Sequence, residues 1–131
     1  MKCLLDTNAY VAFVRGDKNV KATISHAEHV YLSTVALGEL LFGFRHGTRF
    51  QENLDTLTAF AGRPRVSVVP VSRTTADRYS RIAVALRRKG KPIPSNDIWI
   101  AAHAMETGAD LLSFDEHFAA IDGLAWVNPG K

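Results

Sequence analysis

The stretch Lys2-Cys3-Leu4-Leu5-Asp6-Thr7-Asn8-Ala9-Tyr10-Val11-Ala12-Phe13-Val14 decides the fold. An apolar run from Lys2 closes on Asp6, and a segment of helical period follows at once, about Thr7 to Val14, ended by Gly16. A strand feeding straight into a helix, repeated along the chain, predicts an α/β domain with a mainly parallel sheet. Outward from it, a helical stretch around Val20 to Ala27 leads into a strand at His29 to Leu32. Thr34 is then expected to cap a helix whose Leu37, Leu40, Leu41 and Phe44 form an apolar stripe, closed by Gly47. A helix near Phe50 to Ala61 carries Leu54, Leu57 and Phe60, and Val66 to Val71 reads as a β-branched strand. Thr74 and Asp77 suggest a near capping box for a helix burying Tyr79, Ile82, Ala83 and Leu86, which stops at Gly90 before Pro92 and Pro94. The next helix, about Asn96 to Thr107, turns Ile98, Ala101, Ala102 and Met105 inward and ends at Gly108. A strand at Ala109 to Phe114, a helical turn at Glu116 to Ala119 and a strand at Leu124 to Val127 complete the chain. Repeats, low-complexity tracts and internal linkers are absent.

A length of 131 residues predicts one domain spanning 1–131. With 47% hydrophobic and 22% charged residues, the composition excludes a disordered tail. No apolar run approaches the ~20 residues that span a bilayer, and a carboxylate as early as Asp6 argues against a secretory leader. The single cysteine, Cys3, permits neither a disulfide framework nor a cysteine zinc site, and a cytoplasmic location is expected. The net charge of +3 is mild. Setting four acids aside in one site would leave 16 basic residues against 9 acidic ones, or +7, a surface suited to a polyanion.

Neither a Walker loop nor a dinucleotide fingerprint follows the first strand. The acids are more telling. Asp6 stands where the first strand stops and Asp115 just past the strand Leu111 to Phe114, so both reach one rim of a parallel sheet. Asp97 opens the helix before that second strand, and Glu39 lies mid-helix after the strand His29 to Leu32. Asp6, Asp97 and Asp115 also sit at helix starts, where an aspartate commonly serves only as a cap. Glu39 does not: Val35, Ala36, Phe42 and Gly43 surround it one turn away, with no Lys or Arg as a partner. Clustered carboxylates repel unless a cation neutralises them, and all-oxygen ligation suits Mg²⁺ or Mn²⁺. Phosphodiester hydrolysis is the reaction such a site serves best.

The residues so far resemble a PIN-domain ribonuclease, and specifically the VapC toxins of toxin–antitoxin pairs. The likeness runs through Leu4-Leu5-Asp6-Thr7-Asn8, Ser33-Thr34-Val35, Glu39-Leu40 with Gly43, Pro92-Ile93, Asp97-Ile98-Trp99-Ile100-Ala101-Ala102-His103-Ala104, and Gly108-Ala109-Asp110-Leu111-Leu112-Ser113-Phe114-Asp115 with Phe118. It implies a PIN-like three-layer α/β/α fold and a Mg²⁺-dependent endoribonuclease, Mn²⁺ being a possible substitute. Asp6, Glu39, Asp97 and Asp115 match the family's acidic metal and catalytic positions, Asp6 and Asp97 as main ligands. Thr7, Asn8 and Ser113 match its supporting positions. The fourth acid varies in such toxins, which makes Asp115 the loosest match. A small VapB-like antitoxin, a homodimer packed through helices of the N-terminal half, and a higher toxin–antitoxin assembly are implied as partners.

Arg87, Arg88, Lys89 and Lys91 are candidate RNA contacts, although cations at a helix C-terminus also suit the dipole. Arg45, Arg49, Arg63 and Arg65 are weaker hints, and Trp99 and Phe114 fit the core better than base stacking. The five histidines read as structural or surface residues: His26 and His29 straddle a junction, His103 lies on a packed helix, and His46 and His117 are isolated. A non-catalytic PIN-like RNA- or protein-binding module is the alternative, which four intact acids oppose. An aspartyl phosphotransfer domain would want a second acid two positions after Asp6, where Asn8 stands, and a lysine near Ala125-Trp126-Val127-Asn128, which has none.

Overall fold

A computed structural model describes residues 1–131. The elements follow as β1 (Lys2–Leu5), α1 (Thr7–Val14), α2 (Lys18–His26), β2 (His29–Ser33), α3 (Thr34–His46), α4 (Phe50–Ala61), β3 (Val66–Val69), α5 (Arg73–Arg88), α6 (Ser95–Thr107), β4 (Asp110–Leu112), a 3₁₀ turn (Glu116–Ala120) and β5 (Trp126–Val127). The strands form one sheet in the order β3-β2-β1-β4-β5, and every neighbouring pair is parallel. The expected α/β fold with a parallel sheet is therefore the observed one.

Alternate strand residues supply two cores, one on each face. Cys3 and Leu5 of β1 join Val30, Leu32, Leu112 and residues of α1, α2 and α4, among them Ala9, Val20, Leu57 and Phe60. Leu4 of β1 and Leu111 of β4 join Ile82 and Leu86 of α5, Ile98, Ile100 and Ala101 of α6, and Phe118 of the 3₁₀ turn. Both faces of the central strand are thus covered, which gives the three layers α/β/α.

The local signals differ from expectation at several ends. Ser33, not Thr34, caps α3: its backbone is extended and its hydroxyl accepts the Val35 N–H, leaving Thr34 as the first helical residue. The box at the start of α5 is Ser72 with Thr75 rather than Thr74 with Asp77, each side chain accepting the other's backbone N–H. β3 stops at Val69 because Pro70 has no N–H for the ladder. β4 stops at Leu112, since the Phe114 N–H turns to the Asn8 side chain instead. β5 begins only at Trp126. Tyr79, Ala83 and Met105 are half-buried at the margin of the core. Gly108 ends α6 as expected, at φ 71°, in the left-handed region that glycine enters without a Cβ penalty.

The chain fills the sheet outward from β1 to β3, then crosses back to place β4 on the other flank of β1. The reversal falls between β1 and β4, and open α/β sheets leave a crevice outside the strand ends at such a point.

Candidate metal centre

The rim at that crevice is built from short local signals. Asp6 follows β1 and caps α1, its Oδ1 accepting the Thr7 N–H at 2.8 Å. Ser113 follows β4 and its buried hydroxyl donates to Asp6 Oδ2 at 2.6 Å. The same oxygen accepts the Asp115 N–H at 3.0 Å, so one hydroxyl spaces two of the acids. Asn8 braces this corner: its Nδ2 donates to Ser113 Oγ and its Oδ1 accepts the Phe114 N–H. Asp115 in turn caps the 3₁₀ turn, its Oδ1 accepting the His117 N–H at 2.9 Å. Capping and facing the site are thus compatible for Asp6 and Asp115. Asp97 caps nothing; it stands in the first turn of α6, where the N-cap position is Pro94.

Glu39 reaches the rim from α3. Its Oε1 accepts the Thr7 hydroxyl at 2.6 Å and its Oε2 accepts Asn96 Nδ2 at 3.4 Å. Asp97, Asp115 and His117 meet on the other side, their ligand-type atoms all within 4.8 Å of one another. His117 Nδ1 lies 3.2 Å from Asp97 Oδ2 and 3.1 Å from Asp115 Oδ1. Electrostatics agrees with the geometry. Burial pushes the Asp6 carboxyl up to about 6, opposed by its bonds from Ser113 and Thr7 and reinforced by the charges of Asp97 and Glu39. Burial raises Asp97 as well, with the His117 bond opposing and Asp115 and Glu39 adding to the rise.

Asp6, Glu39, Asp97 and Asp115 are therefore drawn together, with Thr7, Asn8 and Ser113 as their braces. Two neighbours escaped the sequence reading, Asn96 and His117. No periodic signal marks His117: Asp115 meets it by capping its N–H, two residues on, and its contact with Asp97 is tertiary. The basic run does not join the acids: Lys89 Nζ pairs with Asp122 at 2.8 Å and donates to the Ala120 carbonyl, while Arg87, Arg88 and Lys91 are exposed. A groove of about 460 Å³ between α5, α6 and the 3₁₀ turn contains none of the four acids.

A buried Asp6 and half-buried Asp97, both with raised pKa values, beside half-buried Glu39 and Asp115 and without any Lys or Arg partner, are a donor set that could hold a divalent cation. Comparison with known proteins bears on that chemistry. The family model of the PIN domain matches residues 3–124. The chain belongs to the PIN-domain family. This PIN domain is 28% identical over 124 residues to Ribonuclease VapC5 of Mycobacterium tuberculosis, covering 95% of this chain and 90% of that protein. It is 26% identical over 130 residues to the tRNA(fMet)-specific endonuclease VapC of Shigella flexneri, covering 95% of each. Among solved structures it is similar to VapBC-1 from nontypeable Haemophilus influenzae, with TM-score 0.88, 25% identity and full coverage of both chains. VapBC2 from Rickettsia felis, bound to a DNA fragment from its promoter, gives TM-score 0.85 at 25% identity over 98% of each chain. No helix of the PIN domain is long and apolar enough to cross a membrane.

Proposed function

We propose that this PIN domain is a metal-dependent endoribonuclease of the VapC type, the toxin of a toxin–antitoxin pair, hydrolysing RNA phosphodiester bonds. The observation that carries this reading is the meeting of Asp6, Glu39, Asp97 and Asp115 at the crevice between β1 and β4, in a chain whose relatives are named VapC ribonucleases. Asp6 and Asp97 would be the main ligands of Mg²⁺, or of Mn²⁺ in its place, with Glu39 and Asp115 completing the site. A divalent cation there supplies Lewis acidity toward a phosphodiester and lowers the pKa of water. Ser113 and Thr7 hold the Asp6 and Glu39 carboxylates in fixed rotamers. The free Oε2 side of Glu39, touched only by Asn96 at 3.4 Å, is the place to orient the attacking water. Arg87, Arg88 and Lys91 offer exposed cations to the RNA backbone.

The partner is a small VapB-like antitoxin. A groove of about 410 Å³ between α1, α3 and α4, lined by Tyr10, Val11, Val14, Leu40 and Phe44, opens on Glu39 and suits an apolar segment beside a cationic side chain. A homodimer packed through N-terminal helices is supported by Phe42, which is 70% exposed on α3 and stacked only on His46. Incubation of purified protein with RNA across a Mg²⁺ titration tests the activity. Cleavage should require the ion and vanish in Asp6→Asn and Asp97→Asn; wild-type rates in both variants would sink the assignment.

A further inference from the structure

We propose, resting on the metal-dependent reading above, that His117 is a nitrogen ligand of this centre and makes it favour an imidazole-binding first-row ion over Mg²⁺. His117 Nδ1 stands 3.2 Å from Asp97 Oδ2 and 3.1 Å from Asp115 Oδ1. Donor atoms ~2.1 Å from one ion lie ~3.0 Å apart at a right angle and ~3.4 Å apart at a tetrahedral angle. His117 Nδ1 therefore already stands at the spacing of neighbouring coordination corners from one oxygen of each carboxylate, and ligand-type atoms of all three residues lie within 4.8 Å of one another. Asp115 caps the 3₁₀ turn through the His117 N–H, so two of the donors belong to one turn, and Asp97 comes from the first turn of α6.

No other cation competes for the place. His117 is the only basic group within ion-pair distance of either Asp97 or Asp115. Its ring is about half exposed, so an ion can reach it from solvent. Mg²⁺ is a hard ion that keeps its waters and takes oxygen donors, whereas imidazole suits iron, zinc and their neighbours. A carboxylate pair completed by imidazole is thus a mixed nitrogen–oxygen set, distinct from the all-oxygen set that Asp6, Asp97 and Glu39 offer.

The test uses the full chain without RNA and with Co²⁺ or Mg²⁺ as the only probe. In the Co²⁺-loaded protein, proton NMR should show a paramagnetically shifted, exchangeable imidazole N–H, and His117→Ala should lose it. Calorimetry should show that His117→Ala weakens Co²⁺ binding at least ~10-fold, the low end of what losing even an outer-shell partner costs. Its Mg²⁺ affinity should stay within about threefold of wild type, and circular dichroism should confirm an intact fold. Bound Co²⁺ without the shifted N–H, or equal Co²⁺ affinities for wild type and His117→Ala, would overturn the proposal. In that case His117 merely anchors the carboxylates, and the nuclease reading stands if Asp97→Asn still loses the ion. A wild-type protein that binds neither ion would defeat both readings together.

Discussion

Burial lifts the Asp6 carboxyl to about 6 although Ser113 and Thr7 both hydrogen-bond its oxygens. The unfolded chain ionises this group near 3.8, so between that value and about 6 the unfolded state has lost a proton that the metal-free folded state keeps. The Asp6 contribution to stability is complete below this window and declines as pH rises through it, by roughly 1–3 kcal/mol. Melting curves of metal-free protein from pH 4 to 7 should show that decline, and Asp6→Asn should lack it. An identical slope in both proteins would contradict the assignment of burial as the cause. Ser113→Ala should also act beyond its size. It removes the donor to Asp6 and the acceptor for both the Asp115 N–H and Asn8 Nδ2, three bonds at a fully buried hydroxyl. Urea unfolding should register a loss of about 1–3 kcal/mol, with RNA cleavage down ~10–100-fold, as when the support of a metal ligand is removed. Glu39 was legible at this scale because it interrupts an apolar helix face with no sequence neighbour to excuse it. Asp6 and Asp115 were ambiguous for a physical reason: each caps a helix and faces the rim with the same carboxylate. His117 was invisible, since half of its environment comes from Asp97, 20 residues away on another element.

Element type was legible almost throughout, because helical stripes and β-branched runs are local signals; α1 and α4 begin and end where their periodicity puts them. Element ends were less so. Choosing Ser33 over Thr34, or Ser72 over Thr74, depends on which backbone is extended, and tertiary packing decides that. Ser33 illustrates the point. Its hydroxyl accepts the Val35 N–H and donates to His103 Nδ1 at 2.9 Å, while His103 Nε2 donates to the Pro70 carbonyl at 3.2 Å. One neutral imidazole on α6 thereby clamps the start of α3 and the end of β3. Burial lowers the His103 pKa, so the folded protein resists a proton that the unfolded chain accepts near 6.5. This contribution to stability is present above that value and lost as pH falls through the folded value. His103→Gln should flatten the acid-side loss while weakening the protein at pH 7 by about 1–3 kcal/mol. A chemical-denaturation series at pH 5, 6 and 7 checks both signs, and an unchanged acid slope would mean that His103 does not carry it.

At the scale of the molecule, acids gather at one rim while Arg87, Arg88 and Lys91 lie exposed at the far end of α5 and just beyond it. If these cations meet RNA phosphates, reversing all three to Glu should flatten the salt dependence of binding by about 2 in log–log slope, at ~0.7 per single-strand contact. Filter binding from low to high salt measures it; an unaltered slope would make the run a solvated helix end. Lys89 belongs outside that set because Asp122 and Ala120 hold it. The strand order has a consequence in time as well as in space. β1 is made first, yet one of its edges stays without a partner until β4 exists, and Asp6 waits 107 residues for the hydroxyl that fixes it. At a synthesis rate of ~5–20 residues per second, that interval is roughly 5–20 s. A nascent chain on the ribosome is therefore chemically unarmed for nearly the whole of its translation. A message truncated between Asp97 and β4 would yield a peptide holding three of the acids and no frame to turn them toward one another.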